Sequence, residues 1–159
     1  MSQILATIEN NDIILNDDGS VTYSAKAAID DDGSDNSQRD PDWQADTSLH
    51  FNGKPIDAAS VPYVVVPPAI IAGVPGIVLG CRAVVTDTCN GLSTEAVVAD
   101  IGPHKKLGEI SMACAAAIGI DPSPTRGGED AHVIAYALYP GTPAVVNGVT
   151  YELQPSSAN

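Results

Sequence analysis

The apolar residues of this chain come in short runs, each closed by a residue that turns or breaks the backbone. The longest run, residues 61–79, is interrupted by Pro67, Pro68, Gly73 and Pro75. None reaches the roughly 18 apolar residues that a membrane-spanning helix needs. Residues 4–8 and 12–16 are β-type runs separated by Asn10-Asn11, and Asp17-Asp18-Gly19 ends the second. Residues 20–28 alternate, with Val21, Tyr23 and Ala25 on one face of a strand. Residues 61–66 form a compact apolar strand stopped by Pro67-Pro68. Residues 76–85 and 94–101 read as a hairpin, closed by Asp87-Thr88-Cys89-Asn90-Gly91, whose Asn-Gly pair supplies the positive φ angles the turn requires. Residues 132–138 and 145–153 are the final strands, the last kinked at Asn147-Gly148.

A single helix is expected over residues 108–118. It is rich in Ala, carries Ile110, Met112, Ala113, Ala117 and Ile118, and is stopped by Gly119. Its small side chains predict close packing against a sheet. Short strands at this spacing with one helix predict a mainly β (α+β) fold, a small β-barrel. At 159 residues the chain makes one domain, with a core over about residues 12–153 and a tail at 154–159.

Seven Lys and Arg against 20 Asp and Glu give a net charge of −13. Such a surface repels nucleic acid and anionic lipid and attracts polycations, although acidity by itself also simply confers solubility. Residues 1–10 show neither the basic start nor the apolar segment of a signal peptide. The three cysteines, Cys81, Cys89 and Cys114, make no disulfide framework and no zinc-binding pair. Cys81 and Cys89 flank the hairpin turn, so a bridge between them and three free thiols are both compatible with the sequence.

The chemistry points to two carboxyl groups. Val97-Val98-Ala99-Asp100-Ile101-Gly102-Pro103 sets a lone acid at the end of an apolar strand, where Asp is rare. Nine residues later Glu109 follows Gly108 at the start of the expected helix. A strand end and a helix start joined by a short loop can bring both groups into one cleft. Glycoside hydrolysis needs that arrangement: one acid protonates the leaving oxygen, and one carboxylate activates water or attacks. Apolar neighbours would favour protonated Asp100, and a helix N-terminus would favour ionised Glu109, which makes Asp100 the acid and Glu109 the base. The structural alternative is that Asp100 caps a loop and Glu109 caps the helix.

Ala28-Ile29-Asp30-Asp31-Asp32-Gly33 is a second acidic cluster. It does not reproduce a calcium-binding EF-hand, since Asp35 takes the sixth position from Asp30 and no Glu falls at the twelfth. A solvated acidic loop and a grip for substrate ammonium groups both remain open. His50, His104 and His132 have no metal or triad spacing, no nucleophile elbow occurs, and Gly127-Gly128 lacks the Lys of a phosphate loop.

Four stretches, in order, resemble the family 75 chitosanases. They are Ala28–Gly33 with Asp40-Pro41-Asp42-Trp43-Gln44-Ala45-Asp46-Thr47-Ser48-Leu49; Val61-Pro62-Tyr63-Val64-Val65-Val66-Pro67; Val98-Ala99-Asp100-Ile101-Gly102-Pro103 with Leu107-Gly108-Glu109-Ile110-Ser111; and Val133-Ile134-Ala135-Tyr136-Ala137-Leu138-Tyr139-Pro140-Gly141-Thr142. The resemblance implies a six-stranded, double-psi-like barrel and an endo-acting, inverting hydrolase of β-1,4-linked glucosamine polymers, with Asp100 and Glu109 catalytic. It also implies substrate contacts from Asp30, Asp32, Asp40, Gln44, Thr47, Tyr63 and Tyr136, with Asp30 or Asp32 a rival to Glu109 as base. Trp43, Tyr63, Tyr136 and Tyr139 are the candidate sugar-stacking platforms. The mechanism needs neither metal nor cofactor, and the expected partner is polycationic chitosan, bound by a monomer without nucleic acid or membrane. The family implies an extracellular enzyme; the missing leader pattern fits a phage- or virus-encoded copy or release by lysis. The chain departs from the family in being short and in carrying Lys105-Lys106 within the catalytic loop. A peptidoglycan-cleaving enzyme and a non-catalytic glycan-binding or virion structural protein are the competing functions.

Overall fold

The computed structural model describes residues 2–34 and 41–155. Its strands are β1 (Gln3–Ile8), β2 (Asn11–Leu15), β3 (Val21–Asp30), β4 (His50–Phe51), β5 (Lys54–Pro55), β6 (Tyr63–Val66), β7 (Cys81–Asp87), β8 (Ser93–Ile101), β9 (Glu109–Ser111), β10 (Glu129–Pro143), β11 (Val145–Val146) and β12 (Val149–Thr150). Two six-residue helices, α1 (Pro68–Gly73) and α2 (Met112–Ala117), complete the chain.

Six strands close into a barrel in the order β3-β10-β7-β8-β6-β9 and back to β3. The β3–β9 and β6–β8 pairs are parallel, and the other four are antiparallel. The β1–β2 hairpin extends the sheet from the start of β3, beside the stretch that β9 pairs. The mainly β barrel expected from the strand pattern is therefore present.

Alternation fills the interior. Val21, Tyr23, Ala25, Ala27 and Ile29 of β3 join Val64 and Val66 of β6, Val98 of β8, and Ile134, Tyr136 and Leu138 of β10 in one buried cluster. Tyr23 and Tyr136 stack there with centroids 4.8 Å apart. A second cluster lies on the outer face of β6 and β8. Tyr63, Val65, Val97 and Ala99 are covered there by Leu49, Ile56 and Ala58 from the segment that leads from the acidic loop to β6.

The helix expected over residues 108–118 is the main correction. Glu109–Ser111 is strand, paired with β3 on one side and β6 on the other, and only Met112–Ala117 is helical. Two constraints delay the start of the helix. Gly108 takes φ +90°, and a Cβ there would lie 2.1 Å from the Lys26 carbonyl oxygen, so the chain is pressed flat against β3. Ser111 then caps α2, its Oγ accepting from the Cys114 N–H. The second helix, α1, begins at Pro68, a residue suited to a first helical turn but expected only to stop the preceding strand. Cys81 is buried with its Sγ donating to the Gly76 carbonyl, Cys89 is exposed, and both are free thiols.

Candidate active site

A β-bulge aims Asp100 at the site. Along the β6–β8 ladder Tyr63 faces Val97 and Val64 faces Val98, but Val65 then faces Asp100, so one residue of β8 is skipped. Strict alternation would have sent Asp100 inward after the outward Ala99. The extra residue keeps both outside, a common use of bulges beside active sites. Val65 pairs on its other edge with Glu109 of β9. Both carboxyl groups thus stand on the outer wall of the barrel, one on each side of Val65.

They line an open cleft of about 770 Å³. Asp30, Asp31 and Asp32 at the end of β3, Trp43 and Gln44 from the covering segment, and Lys26 and Lys106 share its wall. Six carboxyl groups, counting Asp42, meet two lysines there. Lys26 is also paired with Glu9 at 2.8 Å. The cleft therefore concentrates the negative charge already evident in the composition. A smaller groove of about 470 Å³ beneath the β1–β2 hairpin has Asp12 as its one acidic lining residue.

Asp100 is buried at 9% exposure, and its Oδ1 accepts three hydrogen bonds: Ser48 Oγ–H at 2.8 Å, Ser48 N–H at 3.2 Å and Ile101 N–H at 3.1 Å. Glu109 is half-buried, held beneath Gly102: a Cβ at Gly102 would lie 3.2 Å from Glu109 Oε1. Its setting is a three-residue strand, so the helix-terminus argument for its ionisation does not apply.

Asp30 Oδ1 accepts from the Asp32 N–H, and Asp32 Oδ1 accepts from the Gln44 N–H, both at 2.8 Å. Burial, opposed by that Asp32 N–H and reinforced by the charges of Asp32, Asp100 and Glu109, pushes the Asp30 carboxyl up to about 8. Asp32 is pushed up to about 7, again chiefly by burial, with Asp100 and Asp31 adding to it. One carboxylate oxygen from each of Asp30, Asp31 and Asp32 lies within 4.8 Å of the others, a grouping that could hold a cation or an ammonium group.

The proposed substrate contacts divide. Gln44 is exposed and lines the cleft, while Asp40 lies outside the described residues. Thr47 is buried, donating to the Leu49 carbonyl and accepting from the Ile56 N–H, so it shapes the covering segment rather than meeting a ligand. Tyr63 is fully buried and donates to the Asp32 carbonyl, supporting the acidic loop from behind. Tyr136 is inside the barrel, 2% exposed, with its hydroxyl on the Lys26 carbonyl, and is a core residue rather than a substrate contact. Tyr139 carries the Arg82 guanidinium over its ring, 4.6 Å from the centroid, away from the cleft lining. Of the four aromatic candidates, Trp43 alone lines the cleft; its indole N–H is tied to the Ser34 carbonyl.

Two residues not singled out in the sequence hold the site together. Ser48 supplies two of the donors on Asp100. Glu9, in the β1–β2 turn at φ +51°, accepts from the Leu107 N–H with one oxygen and binds Lys26 with the other. It thereby ties the loop before Glu109 to the cleft wall. Ser48 lies within the Asp40–Leu49 stretch that resembles the chitosanases, but Glu9 is 98 positions from Leu107 and carries no local signal. The chain matches no family model and no curated protein.

Proposed function

We propose that the protein is an endo-acting chitosanase that hydrolyses β-1,4-linked glucosamine polymer with inversion, using the Asp100 and Glu109 sides of the cleft as acid and base. The observation that carries this is the pairing of both carboxyl-bearing residues with Val65 on the floor of an open, acidic cleft. Inverting hydrolysis needs two carboxyl groups on opposite faces of the sugar with room for water between them. The surplus of carboxylates fits a polymer that carries an ammonium group on each sugar, and an open groove accommodates a chain bound in its middle. The resemblance to family 75 chitosanases supports the same substrate.

The test is release of reducing ends from highly deacetylated chitosan in mildly acidic buffer, with chitin and peptidoglycan in parallel. Hydrolysis of chitosan that is lost in folded Asp100→Asn and Glu109→Gln proteins supports the reading. Cleavage of peptidoglycan alone would redirect it to cell-wall glycan. Binding without new reducing ends would make the protein a glycan-binding module.

A further inference from the structure

The path of a polymer through the cleft follows from the two carboxyl groups. An inverting pair acts on opposite faces of one sugar, so the chain passes between acid and base. Asp100 and Glu109 flank Val65 across the sheet, on β8 and β9. A chain that passes between them therefore runs along β6, and the sugars on either side of the cut meet different ends of the cleft.

Strand register assigns those ends. β8 runs parallel to β6 and β9 antiparallel to it, while β3 is parallel to β9. Forward from Val65, β8 leads from Asp100 to Ile101 and on to Pro103. In the same direction β9 and β3 lead back from Glu109 and Ala28 to Lys106 and Lys26. In the opposite direction β3 continues from Ala28 to Asp30, Asp31 and Asp32. The catalytic pair thus stands between a lysine end and an acidic end, and residues of both line the same cleft.

The ends differ in more than charge. Lys26 is offset by Glu9, 2.8 Å away, but Lys106 is exposed, as are Lys105 and His104 before it on the loop. Beside them Ile101 is a large apolar side chain left 37% exposed, and Pro103 is exposed as well. Lys106 repels an ammonium-bearing sugar. An N-acetyl group is neutral and carries a methyl that Ile101 and Pro103 can cover. At the other end Asp30, Asp31 and Asp32 each offer a carboxylate oxygen within 4.8 Å of the others, a spacing that suits one ammonium group. Burial and the neighbouring carboxylates raise the Asp30 and Asp32 carboxyls, and an ammonium group set among them favours the ionised form of both.

We infer that the cleft selects acetylation with a direction: a free glucosamine unit at the acidic end, and an N-acetylglucosamine unit at the end walled by Ile101, Pro103 and Lys106. Lys106 and Ile101 are then specificity-determining residues. The inference rests on the chitosanase reading and narrows the preferred bond to one that joins an acetylated unit to a deacetylated one.

The test digests randomly acetylated chitosan to low conversion and identifies the unit at each new reducing and non-reducing end by mass spectrometry. One of the two new ends is expected to be enriched in N-acetylglucosamine over the substrate average by about threefold, and the other in glucosamine. Lys106→Glu, at an exposed position, is expected to abolish the acetylated enrichment and to speed cleavage of fully deacetylated chitosan. Ile101→Ser is expected to weaken the enrichment without altering the charge. Equal composition at the two new ends, or an enrichment that both variants leave in place, overturns the inference while the chitosanase reading stands. No cleavage of any chitosan by the folded wild type would overturn that reading, and the inference with it.

Discussion

Asp100 and Glu109 are neighbours of the same residue: Val65 pairs with Asp100 along β8 and with Glu109 along β9. Strands lie about 4.8 Å apart, so backbones flanking one strand are separated by roughly twice that, near 10 Å. Inverting glycosidases hold their two carboxyl groups about 6.5–9.5 Å apart, a span within reach of side chains on two strands that flank one common neighbour. If the chitosanase reading holds, Asp100→Asn and Glu109→Gln should each lower reducing-end release by about 10²–10⁴-fold while the melting temperature stays near that of the wild type. Proton NMR of the anomeric product would then show inversion.

Gly102 sits where a methyl group would press on both Val65 Cγ1, at 2.9 Å, and Glu109 Oε1, at 3.2 Å. Gly102→Ala is expected to displace the Glu109 carboxylate and cost about tenfold or more in kcat. The residue lies on the loop at the cleft, so denaturant unfolding should show a loss of about 1 kcal/mol or less. A large stability loss with intact kcat would contradict that placement.

Glu9 acts from outside the barrel, bridging Lys26 and the Leu107 N–H. Its ion pair is partly exposed, so Glu9→Ala should remove only about 1 kcal/mol of stability. The larger effect is expected on kcat, because the loop it ties down leads directly into Glu109. Glu9→Gln, which keeps an acceptor for Leu107, should recover most of that loss.

Burial raises the pKa of Asp30 and Asp32 in the folded protein, to about 8 and about 7, against an ordinary value of 3.8. The folded state therefore binds more protons than the unfolded chain between those limits. Their contribution to stability is full below about pH 4 and is lost as pH climbs through 7 to 8. The melting temperature should fall over that window. Asp30→Asn, which retains an acceptor for the Asp32 N–H, should raise it by several degrees at pH 8 and change it little at pH 4.

The Tyr23 hydroxyl is buried and has no hydrogen-bond partner among the described residues, while its ring stacks on Tyr136. Removing an unsatisfied polar atom without disturbing the ring should be neutral or stabilising, by up to about 1–3 kcal/mol. Thermal unfolding of Tyr23→Phe checks this.

Much of this architecture was legible in the chain. The alternation of Val21, Tyr23 and Ala25 defines β3, and its inward face is the one that packs the barrel. The same rule, applied to Ile134, Tyr136 and Leu138, would have placed Tyr136 in the core beside them. Strand β9 left no such trace. Three residues are too few to show a period, and the Ala-rich run behind them extends the helical pattern across them. Its pairing with β3 depends on contacts some 80 residues away in sequence, which local propensity does not encode. The Asp100–Ser48 and Glu9–Leu107 contacts were hidden for the same reason.

The bulge near Ala99 has an evolutionary corollary. The residue skipped by the ladder leaves its carbonyl free of β6, and that oxygen accepts the Leu49 N–H at 2.9 Å, next to the Ser48 that donates to Asp100. A single-codon deletion at Ala99 would leave Asp100 opposite Val65 and facing outward, yet take away the backbone anchor of the segment that carries Ser48. Any residue at this place supplies that carbonyl, whereas a shortened strand does not. Length in this strand is therefore under tighter constraint than the identity of the alanine itself.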